Sequence, residues 1–320
     1  MQKGILFCCL LALAGLYACS KTDTLSVGNT SDIITFSLPT TRAAINSGTD
    51  LNQKGNSFAV WGNCRPTGSY RQEERSEIFT GHPVAYNGGR WYYTGEIRYW
   101  YPEYTYDFYA IYPFSLPQGA SVAVDASGMI TVADFDCSAT GEHAVDLMTA
   151  CQTGIAYGKG DIPRPVRMNF RHELTRLNFM VQTEEGTVCV VKASLIGIDY
   201  KGTLKRAGET VVWESLTTVP EGVFERTTEM EVDLKGMTLL NEMLLPPQKI
   251  ESGKAFLSVV YRYSAFDEEH SKTVALPAVT WEAGKNYTYV LTIESDGRIH
   301  FEEPAVNHWD DALGGIIIVD

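Results

Sequence analysis

The feature that most restricts this chain is the alternation of apolar and polar residues that recurs between joints of Gly, Pro, Asn and Asp. Successive side chains of a β-strand point to opposite faces, so a period of two marks a sheet with a face to bury. No window longer than about two turns carries a 3.6-residue apolar stripe. The chain therefore reads as all-β. Between Pro102 and Pro113, Tyr104, Tyr106, Phe108 and Ala110 share one face, and Thr105, Asp107, Tyr109 and Ile111 share the other. Further on, Tyr287, Tyr289, Leu291 and Ile293 share a face, Ser295-Asp296-Gly297-Arg298 supplies a hairpin turn, and Ile299 and Phe301 return. An amphipathic sheet must cover its apolar face with a second layer, which points to β-sandwiches.

The N-terminus has the pattern of an export signal: Lys3, an apolar run from Gly4 to Ala18, then Cys19-Ser20-Lys21. That run is shorter than the roughly twenty residues a membrane-crossing helix needs. Leu16-Tyr17-Ala18-Cys19 resembles the lipobox of bacterial lipoproteins, which implies acylation at Cys19 and attachment to the outer membrane through lipid. Residues 1–18 are then the signal and 19–42 a lipidated N-terminal segment. About 300 residues remain, more than one core usually serves. A Gly/Pro-rich polar stretch, Gly158-Lys159-Gly160-Asp161-Ile162-Pro163-Arg164-Pro165, divides them into an N-terminal sandwich, 43–162, and a C-terminal one, 163–320. The alternating residues from Val166 to Val181 are expected to open the second sandwich.

Composition excludes several classes of function. The net charge is −13, with no basic run to follow a phosphate backbone, so nucleic acid is not an expected partner. Of seven cysteines, Cys8 and Cys9 lie in the signal and Cys19 at the lipobox; Cys64, Cys137, Cys151 and Cys189 are far apart and read as free thiols rather than a disulfide framework. The six histidines are scattered without the spacing of a zinc site, so neither metal nor other cofactor is expected. Phosphate loops, HExxH and GxSxG are missing, and the paired acids alternate faces on a strand rather than facing one cleft. No catalytic residue is assigned, and the chain does not read as an enzyme.

Three separated stretches carry a resemblance: Arg98-Tyr99-Trp100-Tyr101-Pro102 running to Tyr109-Ala110-Ile111-Tyr112-Pro113, Phe170-Arg171-His172-Glu173-Leu174-Thr175-Arg176-Leu177, and Trp281-Glu282-Ala283-Gly284-Lys285-Asn286-Tyr287-Thr288-Tyr289 with Trp309 following. In these the chain is similar to the fimbrillin-like lipoproteins of Bacteroidales, which build cell-surface pili. The resemblance implies two transthyretin-like β-sandwiches in tandem, other pilin subunits as partners, and strand exchange after a trypsin-like protease removes an N-terminal segment. The matching cleavage position is Arg42, before Ala43.

The chain ends suit that scheme physically. Ile34, Phe36 and Leu38 fall on one face of a strand ended by Pro39. Removing three buried side chains would cost about 5–9 kcal/mol, comparable with the roughly 5–15 kcal/mol by which whole domains are stable. Cleavage would then leave an apolar groove and open strand edges for a strand from another subunit. The candidate donor is Ile316-Ile317-Ile318-Val319 after Gly314-Gly315; the same run could instead complete its own sandwich as an edge strand. The runner-up reading is a glycan-binding surface lipoprotein, with Trp91, Tyr93 and Trp100 as an exposed aromatic platform, although packing in the sandwich interior accounts for these rings better. A third is a monomeric envelope lipoprotein that keeps both end strands.

Overall fold

A computed structural model describes residues 32–38, 44–45, 49–220, 222–264 and 266–309. Among them there is no α-helix, and they form β-strands with short 3₁₀ turns at Gln72–Glu74 and Gly141–His143. The all-β reading holds, and the strands bury two apolar cores.

The N-terminal half is dominated by an eight-stranded sheet in the order Val166–Arg167, Phe36–Ser37, Arg90–Tyr93, Ser76–Asn87, Ser57–Pro66, Tyr104–Tyr112, Met148–Tyr157, Arg171–His172. At about 4.8 Å per strand, Phe36 and Phe108 would lie some 19 Å apart in a flat sheet. Their ring centroids are 5.8 Å apart. The sheet therefore curls over and packs one face against itself, enclosing Ile34, Phe36, Phe58, Val60, Phe79, Val84, Trp91, Trp100, Tyr106 and Phe108.

The strand Tyr104–Tyr112 is buried on both faces. Tyr106, Phe108 and Ala110 point into the curled interior, while Tyr109 and Ile111 enter the second core. A four-stranded sheet joins the halves by pairing Ser121–Val124 and Ile130–Asp136 with Asp199–Ala207 and Thr210–Thr218, with Leu204 opposite Val132.

In the C-terminal half two five-stranded sheets enclose the larger core. The strands Thr175–Thr183 and Lys285–Ile293 run parallel in register, Leu177 beside Tyr287 and Phe179 beside Tyr289. The hairpin expected after Ile293 is present, with Leu291 opposite Phe301 and Ile293 opposite Ile299. One expectation is corrected. The strands at Val166–Arg167 and Arg171–His172 do not open the second sandwich but pair with the first sheet, the former parallel to Phe36–Ser37, the latter antiparallel to Met148–Thr149. The Gly/Pro-rich stretch is thus a connection between two strands of that sheet. Cys64 and Cys137 are buried free thiols, and Cys151 and Cys189 are partly buried and free.

Candidate functional site: the seat of the first strand

Residues 32–38 run through the first sheet with hydrogen-bonded neighbours on both sides. On one edge the Trp100 amide donates to the Asp32 carbonyl and the Ile34 amide to the Arg98 carbonyl, each at 2.8 Å. Ile33 bridges Tyr99 and Phe36 lies opposite Trp91, both antiparallel. On the other edge the amides of Val166 and Met168 donate to the carbonyls of Thr35 and Ser37, at 2.7 and 2.9 Å. An extended segment held this way is an interior strand, and lifting it would expose backbone groups on both flanks.

Alternation decides the packing. Ile34, Phe36 and Leu38 all point into the core, with 0%, 4% and 8% of their surface exposed. The Phe36 ring meets four others edge to face, those of Phe79 at 5.5 Å, Phe108 at 5.8 Å, Phe58 at 6.0 Å and Tyr93 at 6.2 Å. Such pairs add about 0.5–1.5 kcal/mol each to the area they bury. The first strand is thus a plug in an aromatic cage.

Tyr93 supplies its polar contact. The hydroxyl donates to the Ile34 carbonyl and accepts from the Arg98 amide, both at 3.1 Å. Burial holds this phenol above its ordinary pKa, so its contribution to stability fades as pH rises through the raised folded-state value. Tyr93→Phe keeps the ring and removes the bridge. It is expected to cost about 1–2 kcal/mol and to remove whatever part of the loosening of residues 32–38 above pH 10 comes from this phenol, as amide exchange across that range would reveal.

The aromatic platform of the runner-up reading is not formed. Trp91 and Trp100 are 5% and 4% exposed. The Trp91 indole donates to Asn52 at 2.8 Å, and Trp100 packs on Tyr106 and Tyr157 at 4.6 and 5.5 Å. The curl of the sheet turns these rings inward, and only Tyr93 of the three keeps a partly open edge. Cys19, Arg42, Ala43 and Ile316–Val319 lie outside the described residues. Sequence reasoning brought Ile34, Phe36 and Leu38 to one face but missed their cage and their parallel partner Val166–Arg167. Phe58, Phe79 and Phe108 each sit on an alternating strand, a signal that could have placed them inside.

The stretches that carry the resemblance have structural roles. Trp281 donates its indole N–H to the Tyr289 hydroxyl at 2.8 Å, and the Tyr287 hydroxyl donates to the Thr280 carbonyl at 2.9 Å, so this motif folds a loop back onto its own strand. His172 is buried, paired with Asp146 at 2.9 Å and stacked flat on Trp309 at 4.3 Å.

An all-β chain whose strands bury two apolar cores, with its first strand seated inside a sheet, defines a β-sandwich class of fold. The chain belongs to the fimbrillin-like family, whose model matches residues 41–309. Solved structures agree in fold. A fimbrial protein from Bacteroides vulgatus ATCC 8482 superposes with a TM-score of 0.64 at 16% identity, over 87% of this chain and 99% of that one. Two proteins assigned to cell adhesion are also similar. The one from Bacteroides ovatus ATCC 8483 has a TM-score of 0.53 at 16% identity, over 80% and 88% of the two chains. The one from Bacteroides uniformis ATCC 8492 has a TM-score of 0.50 at 17% identity, over 88% and 100%. A comparison with curated proteins finds no match.

Proposed function

We propose that this chain is a structural subunit of a cell-surface fimbria, exported as a lipoprotein acylated at Cys19 and held at the outer membrane until a trypsin-like protease cuts between Arg42 and Ala43. The cut releases the segment carrying Ile34, Phe36 and Leu38, and the Ile316–Val319 segment of another subunit takes its place. The observation that carries this reading is the seat of residues 32–38, hydrogen-bonded on both edges and filled by Phe36. A seat of that kind accepts an extended apolar segment and little else, because backbone pairing selects a strand and the cage selects a large side chain. Head-to-tail filling of such seats is a heterologous contact that propagates as a filament. The division into two sandwiches remains part of the proposal, with Val166–Arg167 and Arg171–His172 counted with the first sheet they pair with and the sheet joining 121–136 to 199–218 as the contact that holds the halves together.

The test is brief trypsin treatment of the chain from Ser20 onward, with the cut located by mass and oligomers sought as a ladder lost on boiling. A single early cut after Arg42 is expected, followed by a ladder that deletion of Gly315–Asp320 abolishes. A cut chain that stays monomeric would remove the polymerisation reading. A ladder that survives the deletion would remove Ile316–Val319 as donor.

A further inference from the structure

Between the seat of the first strand and the last described residue, Trp309, runs one extended stretch of chain, residues 166–176. Its even-numbered residues divide between the two places. Val166 and Met168 donate their amides to the first strand, and both side chains are buried in its core. Among the described residues the strand Val166–Arg167 has no ladder partner except Phe36–Ser37. Phe170 packs at 5.2 Å on Phe58, the same ring that meets Phe36 at 6.0 Å.

From there on, the stretch holds Trp309. His172 stacks on the indole with the planes 6° apart. The Leu174 carbonyl accepts from the Gly284 amide, and the Gly284 carbonyl accepts from the Trp309 amide, each at 2.9 Å. Arg176, paired with Glu242, places its guanidinium 5.9 Å from the centre of the indole ring. Trp309 is 3% exposed, and six residues separate it in sequence from Ile316, where the C-terminal run begins.

We propose that residues 166–176 couple the two sites, so that the first strand in its seat tightens the hold on Trp309, and loss of the strand loosens it. With the first strand gone, Val166–Arg167 loses its ladder partner and Phe58 loses one of the rings that fix it against Phe170. The stretch that carries His172 is then held from its other side alone, by Met148–Thr149, Asp146 and the Arg206–Glu173 pair, and the stacking partner of the indole loses part of its support. The coupling sets an order of events: an uncut subunit holds Trp309 firmly, and a cut one holds it less firmly. This rests on the proposed exchange for its meaning, but its physical content is independent of assembly.

Linkage makes the coupling reciprocal, which allows a test on the intact, uncut chain. Hydrogen exchange is followed by mass spectrometry on the chain from Ser20 onward and on its Trp309→Ala variant. Exchange at residues 33–38 and 166–170 is expected to rise at least about fivefold in the variant, the lower end of usual coupling strengths. Phe301→Ala, which truncates another aromatic of the same half, controls for general loss of stability and is expected to leave residues 33–38 unchanged. If Trp309→Ala does not fold, Trp309→Phe is expected to shift the same peptides in the same direction by less. Faster exchange confined to residues 284–286 and 305–309, or an equal response to Phe301→Ala, overturns the coupling. Because exchange is read on the monomer, a missing trypsin ladder leaves this result standing, and a ladder without coupled exchange removes the coupling alone.

Discussion

Replacing Phe36 by alanine is expected to destabilise the intact chain by about 3–5 kcal/mol, the range for emptying an aromatic site in a packed core. The residue lies centrally enough for the upper part of that range. Its ring touches those of Phe58, Phe79, Tyr93 and Phe108, which come from four different strands, so no single neighbour can move to fill the space. The same substitution at Tyr92, which is 43% exposed on an adjoining strand, should cost under about 1 kcal/mol.

Urea denaturation checks the magnitude and also shows where it acts. If residues 32–38 come away only with the whole sheet, the midpoint falls and the slope is unchanged. If the strand detaches first, the slope falls as well, because less surface remains to be exposed in the main transition. The second outcome is the one an exchangeable strand requires, and it should come with faster trypsin cutting after Arg42. A loss below about 1 kcal/mol would mean that the first strand is not part of the core, and the proposed seat would lose its physical basis.

Much of this was legible because alternation is a local property. Ile34, Phe36 and Leu38 declare a common face within five residues, and the return strand at Ile299–Phe301 follows its turn directly. What was not legible depends on partners far along the chain. Nothing near Val166 announces that it will lie beside Phe36, because that register is fixed only when a sheet has curled. The curl also decides the aromatic residues. Interior packing is the reading the sequence favours for Trp91 and Trp100, and they are interior, but the fold of the sheet that encloses them is not written locally. Asp107 misleads in the opposite way. A carboxylate on an aromatic strand suggests a solvent face, yet it is 3% exposed, paired with Arg65, lying 3.5 Å from Arg75 and accepting the Gly154 amide at 2.8 Å. Burial of a charge with its partners cannot be read from the period alone.

The motif around His172 shows the same limit. Its eight residues were recognisable as a unit, but their roles diverge with depth: Phe170 serves the first core, His172 and Arg176 hold Trp309, and Glu173 enters a buried ion pair with Arg206. A short sequence can mark such a crossing point between two cores without showing which residue serves which.

Arg206→Ala at that crossing point is expected to have the other large effect, about 3–5 kcal/mol at neutral pH, because it leaves a carboxylate buried without its counter-charge. Arg206 and Glu173 are each 2% exposed. The guanidinium donates to Glu173 at 3.1 Å, to the Thr149 carbonyl at 3.0 Å and to the Gly208 carbonyl at 2.9 Å, while the Trp213 indole donates to the Glu173 carbonyl at 3.1 Å. These groups come from the strands Met148–Tyr157, Asp199–Ala207 and Thr210–Thr218, so the node ties the first sheet to the four-stranded sheet between the halves. Burial raises the Glu173 pKa, against the lowering effect of Thr149 and Arg206. A raised folded-state pKa means that this contribution to stability is complete below the unfolded value and is lost as pH rises through the folded one. Without Arg206 the carboxyl is raised further, so the penalty should be greatest near pH 7 and shrink as the pH falls toward the ordinary carboxylate range, where Glu173 takes up a proton. Denaturation curves of the parent and Arg206→Ala chains at neutral and acid pH measure that difference directly. A penalty independent of pH would place its origin in lost packing and hydrogen bonds of the arginine rather than in the stranded charge, and Glu173→Gln in the Arg206→Ala background would then recover nothing at pH 7.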